Sequence, residues 1–343
     1  MPHNRSMSTS PTELEYFVVD VFTGTALAGN PLAVVMNTAG LTTGRMQAIA
    51  REFNLSETTF VERGPVETER HDGVRVRIFT TQEELNFAGH PTLGTASVLR
   101  LAAPEAAEGE TIKLKLNVGT VPVRFAGQGL NGEMTQRDPE FGVQLERAEV
   151  ARLAGLSLDD LDPELPPQVV STGTAFAIVV LRSLEALARL KVNHEEATPW
   201  LRERGARWFY VIARDPNQDA DGTKCNEDST KRNEAGTKRN EDGTKCTEAG
   251  TKRTEAGTKR YRARMQFYNG EDPATGSAAG SAISYLVAHE AVSSGEFISL
   301  RQGVEMGRPS DMRLAARRDG AGVTDVRVGG STVLVAKGRL FLP

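Results

Sequence analysis

The chain is short of several features that would settle its class at once. No apolar run approaches the roughly 20 residues that a membrane-spanning helix needs, which excludes a membrane protein. The first residues, MPHNRSMSTSPTE, carry no apolar stretch, so they do not read as a secretory signal. Residues 1–13 read instead as a disordered tail, and the chain as cytoplasmic. Charge of one sign is lacking too: the net charge of −4 gives no case for a nucleic-acid partner. The five histidines, His3, His71, His90, His194 and His289, show no metal-ligand spacing. GxGxxG, Walker and GxSxG signatures are missing as well, so neither a metal nor a nucleotide cofactor is expected. Catalysis, if any, falls to side chains and helix ends.

What is present is a soluble, globular composition, 39% apolar and 25% charged, over 343 residues. That length buries a large core and suits two domains. The two cysteines, Cys225 and Cys246, both fall in one odd segment. From Gly222 a heptad repeats five times with a truncated sixth (GTKCNED STKRNEA GTKRNED GTKCTEA GTKRTEA GTKR). A coiled coil needs two apolar positions per heptad, and here there are none. Residues 222–260 hold ten Lys or Arg against seven Asp or Glu. Such a polyampholyte buries too little apolar surface to offset its ordering entropy, so it is expected to be disordered. It reads as a tandem expansion inside a surface loop, with its thiols incidental.

The remainder alternates short strands with helices. Residues 16–22 and 32–36 are β-rich, Thr43 opens a helical pattern through Phe53, and Val74, Val76 and Ile78 alternate with arginines. Residues 112–118 and 121–125 form a hairpin around Gly119. Past Phe125 the pattern restarts, with strands near 176–181, 208–212 and 263–267 and a helix expected from Pro273. Strands this short and hairpin-like favour an α+β fold with mostly antiparallel sheets over a doubly wound one.

One internal echo stands out. HPTLGTA (90–96) and DPATGSA (272–278) share the pattern polar-Pro-x-x-Gly-(Ser/Thr)-Ala, and each leads into an apolar helix. The echo predicts two halves related by a pseudo-twofold, each offering a helix N-terminus to a shared cleft. Helix N-termini carry unbonded N–H groups and the positive end of the macrodipole, so a facing pair suits a carboxylate. Gly89, Gly94, Gly276 and Ser277 would allow close approach of ligand and backbone, though tight helix packing explains such glycines equally well. Spacing alone favours an exposed strand carboxylate for Glu57 and a helix N-cap for Asp272. For His90 it leaves solvent exposure and ligand binding evenly matched.

Four ordered blocks, VDVFTGTALAGNPLAVV (19–35), NLSETTFV (54–61), LNFAGHPTLGTA (85–96) and GEDPATGSAAG (270–280), resemble the phenazine-biosynthesis PhzF-like isomerase family. RQGVEMGRPS and VRVGGSTVLVAKG extend the resemblance, which covers about residues 14–214 and 261–343. It implies a diaminopimelate-epimerase-like fold: two similar α+β domains, each a barrel-like sheet around a central helix. Domains over 14–125 and 126–337 are then expected, the second interrupted at 216–260, with a last strand near 338–343 packing on the first. The resemblance implies that Glu57 is the general base and that His90 and Asp272 hold polar substituents and assist proton movement. Gly89, Gly276 and Ser277 would bind the substrate carboxylate, and Asn30 would line the cleft. It also implies a homodimer acting on a small carboxylate without a cofactor.

Two other readings compete. A two-thiol amino-acid epimerase on the same fold needs a cysteine in each half-site, where this chain has Glu57 and Asp272. A non-catalytic small-molecule-binding protein would keep the cleft but not the acid–base set; the joint presence of Glu57, His90 and Asp272 argues against it.

Overall fold

A computed structural model describes residues 12–216, 231–232, 238–239, 258–267, 270–320 and 322–342. The expected N-terminal tail over 1–11 and nearly all of the heptad repeat lie outside the described residues. Thr12 and Glu13, placed with the tail above, already pair with Leu342 and Phe341 in a strand ladder.

One long strand organises the molecule. Gly322–Leu342 runs for 21 residues and serves two sheets. Its C-terminal part pairs antiparallel with Thr12–Val21 and so closes a ring of eight strands. That ring continues through Asn30–Val35, Glu57–Glu62, Val74–Phe79, Thr111–Leu116, Gly119–Phe125 and Asn131–Thr135 back to the long strand. Its N-terminal part pairs with Ser310–Asp319 and leads into a second curved sheet. The second sheet runs through Ile298–Gln302, Arg260–Arg264, Trp208–Arg214, Ala175–Leu181 and Gln168–Ser171 to Glu140–Gln144. Each sheet curls around one apolar helix, Gly89–Ala102 in the first half and Gly276–Ala288 in the second. Eleven residues of each helix are buried, so both are apolar all round, as a helix inside a barrel must be.

The two halves repeat one connection scheme. In the first, Asn30–Val35 and Glu57–Glu62 are parallel neighbours joined over helix Thr43–Phe53. In the second, Ala175–Leu181 and Trp208–Arg214 are parallel neighbours joined over helices Leu184–Ala188 and His194–Glu203. The central helices likewise lie between parallel pairs, Val74–Phe79 with Thr111–Leu116 and Arg260–Arg264 with Ile298–Gln302. Other neighbours in the main sheet are antiparallel, which agrees with the α+β expectation.

Burial follows this plan. A continuous core joins both barrel interiors, including Leu93, Val98, Ile283, Tyr285 and Phe125. Smaller clusters seat the outer helices: Met46, Ile49 and Ala50 on Phe60 and Phe79, and Val150, Leu153 and Leu201 on Val179 and Val211. Among the described residues no helix is long and apolar enough to cross a membrane.

One local expectation needs correction. Pro273 does not open the second central helix; the helix starts at Gly276 with Thr275 as its N-cap, and Asp272 lies before it. The reason is tertiary. Asp272 bonds Thr275 and a side chain of the other half, and those bonds hold residues 272–275 out of the helix.

Candidate active site

The two central helices meet end to end. A Cβ built on Gly89 would stand 3.0 Å from Gly276 Cα and 3.1 Å from Ser277 N, tighter than ordinary contact with backbone. Gly89 is therefore what lets the helix ends abut. Gly94 has a different role: its missing side chain leaves room for Leu32 and Val21 inside the barrel, where a Cβ would sit 2.7 Å from each. Neither helix has a side-chain cap, and neither has an acid in its first turn. Two uncapped N-termini thus converge on the seam between the halves, each favouring negative charge.

A cavity of about 430 Å³ opens at this seam, with Glu57, Asp272, Ser277, Phe87, Phe176 and Trp208 among its walls. A neighbouring cavity of about 560 Å³ shares Glu83, Leu85, Phe87, Thr174 and Arg207 with it but holds neither Glu57 nor Asp272. The acid–base groups therefore belong to the smaller chamber.

Behind the walls lies a buried polar chain. Asn30, fully buried at the start of its strand, donates through Nδ2 to Asp272 Oδ1 at 2.8 Å and to the Ala274 carbonyl at 2.9 Å. The same amide nitrogen lies 3.2 Å from His90 Nδ1. The amide has only two hydrogens, directed at Asp272 and Ala274, so the approach to Nδ1 is a close contact rather than a third full bond. The other ring nitrogen, Nε2, faces Glu57 Oε2 at 3.3 Å. Both atoms are buried and lack a well-formed hydrogen bond. An unmade buried bond costs about 1–3 kcal/mol, so the two groups face each other with their hydrogen-bonding capacity unspent.

Asp272 is held from its other side. Thr275 Oγ1 donates to Oδ2 at 2.6 Å, and Gln302 Nε2 donates to Thr275 Oγ1 at 3.0 Å and to the Asp272 carbonyl at 2.8 Å. Tyr210 donates its hydroxyl to Gln302 Oε1 at 2.8 Å. Arg264, chelated by both oxygens of Glu271, fixes the residue just before Asp272.

These surroundings separate the two carboxyls. Burial lifts Glu57 to about 8, with the charge of Asp272 adding and that of Arg207 opposing. Burial also lifts Asp272, but bonds from Thr275 and Asn30 oppose it and leave it at about 6. Burial depresses His90 to about 3, so the ring stays neutral. At neutral pH the pair accordingly holds one proton, mostly on Glu57.

Of the residues singled out from sequence, Glu57, Asp272 and Ser277 line the cavity. His90 and Asn30 stand behind it, Asn30 as the tie between His90 and Asp272 rather than as a wall of the cleft. Gly89 and Gly276 form the backbone contact between the helix ends. Sequence reasoning missed Thr275, Gln302, Arg207 and Trp208. Gln302 sits in RQGVEMGRPS and Thr275 inside the echo, so both were within sight, but neither has a pattern that announces its role.

Two barrels around apolar helices, with acids at the seam, define the diaminopimelate-epimerase-like α+β fold. The chain belongs to the phenazine biosynthesis-like (PhzC-PhzF) protein family, whose model matches residues 19–223 and 227–338. It is 33% identical to an uncharacterized isomerase of Mesorhizobium japonicum, covering 95% of this chain and 98% of the relative. It is equally 33% identical to the trans-2,3-dihydro-3-hydroxyanthranilate isomerase of Pseudomonas aeruginosa, covering 95% and 99%. Among solved structures it matches a predicted epimerase from Pseudomonas aeruginosa at a TM-score of 0.70 and 31% identity, covering 95% and 99%. An Agrobacterium vitis hydroxyproline epimerase shares the fold at a TM-score of 0.56 and 10% identity, covering 96% and 93%. The chain is thus an isomerase of this family.

Proposed function

We propose that the protein moves a proton between two carbons of a small carboxylate, with Glu57 as the base that removes it and returns it elsewhere. The observation that carries this reading is Glu57 itself: a carboxyl raised to about 8, at the cavity wall, facing His90 Nε2. A base of that strength takes a proton from carbon better than a carboxylate at the ordinary value of 4.5 does. The reading leaves redox state and atom count unchanged: one C–H breaks, another forms, and the double bond moves between them.

The helix ends at Gly89, Gly276 and Ser277 bind the substrate carboxylate and the charge that grows beside it. Asp272, ionised at neutral pH, holds polar substituents at the cavity wall, and neutral His90 behind it assists proton movement through Glu57. No cofactor enters the scheme. A homodimer in the cytoplasm completes the reading. A binding protein without turnover is the alternative, and the same experiment separates them. In deuterated water the protein should exchange a substrate C–H, starting with trans-2,3-dihydro-3-hydroxyanthranilate, the compound named for the Pseudomonas aeruginosa relative. Glu57→Gln should bind but not exchange. Undiminished exchange in Glu57→Gln would refute the base assignment.

A further inference from the structure

The pseudo-twofold carries more than the acid–base set. In the first half the parallel ladder begins with Leu32 opposite Glu57; in the second it begins with Phe176 opposite Trp208. Trp208 therefore occupies the place of Glu57, and Arg207 that of Ser56. Where one half presents a carboxyl to the cavity, the other presents an indole with a guanidinium beside it. The Arg207 guanidinium carbon lies 4.1 Å from the Trp208 ring centroid, a stacked geometry that keeps the fork extended along the ring. Arg207 lines both chambers, as do Glu83, Leu85, Phe87 and Thr174, so the residue stands where they join.

Its charged partner is a weak one. Glu83, on the turn that follows the strand Val74–Phe79, reaches Arg207 at 3.5 Å, with the two side chains 61% and 48% exposed. Ion pairs this exposed contribute little, so a ligand anion can displace Glu83 at small cost. The inner chamber's own anion site is at the helix ends. A second anion at the Arg207 fork would extend towards the larger chamber, whose walls include Arg137, Asn86 and Thr172 and also Glu84, whose charge is paired with Arg77.

We propose that Arg207 is a specificity-determining residue that selects substrates carrying a second anionic group, such as a dicarboxylate, remote from the reacting carbon. This rests on the proposed function for the position of the first carboxylate. The second group replaces Glu83 on the guanidinium and lies at the junction of the chambers. A Lys would supply the charge but neither the bidentate fork nor the same stacking.

The test is calorimetric titration of the wild-type protein with two probes that differ only in the second anion, benzoate and isophthalate. Isophthalate should bind about tenfold more tightly, the scale of one charge-assisted contact of modest strength. Arg207→Gln should erase the difference by weakening isophthalate alone, and Glu83→Gln should widen it severalfold. Arg207 is half-exposed, so its replacement leaves the core intact; the benzoate affinity of Arg207→Gln serves as the folding control. Equal affinities in the wild type, no binding of either probe, a preference that survives Arg207→Gln, or an equal loss for both probes would each overturn the proposal. Deuterium exchange reads the isomerase reaction separately. A protein that prefers isophthalate through Arg207 yet exchanges no C–H would sink the isomerisation and leave this selectivity standing.

Discussion

The two halves have the same frame and opposite contents. Each encloses an apolar helix whose uncapped start reaches the seam, and each sends a parallel strand pair towards it. The first half supplies Glu57 and His90; the second supplies Asp272, Trp208 and Arg207. A site built from such halves can treat the two ends of a substrate differently, as an isomerisation between distinct carbons requires. What repeats is an uncapped helix start at the seam, and what differs is the set of side chains around it, a carboxyl and an imidazole on one side and a carboxyl, an indole and a guanidinium on the other.

The comparison breaks most sharply at Glu57. Glu57→Gln should lower turnover by about 10²–10⁴-fold, the usual contribution of a general base, with little change in substrate affinity, as read by steady-state kinetics and calorimetry. Loss of the second-half carboxyl in Asp272→Asn is expected to cost less, because Asp272 is not the group that takes the proton from carbon, although the amide oxygen can accept from only one of Thr275 and Asn30. Equal losses from both variants would mean that the halves act as one symmetric acid pair. Next in size is the contact between the helix ends. Gly89→Ala would place a methyl 3.0 Å from Gly276 Cα, so the helix ends must part by a few tenths of an ångström. Activity should fall by less than the roughly 10²-fold that a displacement of about 1 Å at reacting groups can cost. Gly64→Ala, with no atom within 4 Å of the added methyl, is the control; activity retained in Gly89→Ala would show that the helix ends do not hold the reacting groups.

Stability should respond to Glu57 in the opposite sense from activity. Its folded pKa of about 8 lies above the ordinary 4.5. Ionising it therefore costs the folded state: the cost is absent below the ordinary value, grows as pH rises, and is complete above about 8. Glu57→Gln cannot ionise, so it should melt several degrees above the wild type near about pH 9, and the gap should shrink towards about pH 4. Thermal melts across that range check this. A gap independent of pH would mean that the carboxyl is not the buried, charge-averse group that the site requires.

Much of this frame is legible in the chain. The echo of HPTLGTA by DPATGSA announces two helices that meet, and alternation finds the strands at Val74–Phe79 and Thr111–Leu116. The charged helices Val66–Asp72 and His194–Glu203 escape it, because VETERHD has little apolar periodicity and Pro199 sits inside the other. The site is less legible than the frame, since its decisive contacts cross the molecule. Asn30 and Asp272 are 242 residues apart, and only folding shows that one amide ties Asp272 to His90. The same bond explains why the helix expected at Pro273 starts at Gly276. Local propensity placed the helix start early, and a tertiary hydrogen bond moved it.

The smallest expected effect gives the finest test of how the halves communicate. The charge of Asp272 is one of the causes that raise Glu57, second to burial. Below about 8 only the ionised fraction of Glu57 can act as base, so kcat/KM should rise with pH and level off above that value. Asp272→Asn removes the charge but leaves burial in place. The rising limb should then move to lower pH, only part of the way towards the ordinary carboxyl value, while its height falls. Arg207→Gln removes a charge that opposes the rise, so its limb should move the other way. Two variants in the second half would thus shift the titration of one group in the first, in opposite directions. If both profiles coincide with the wild type, the halves share a wall but no electrostatic coupling, and the separation of their carboxyls has another origin.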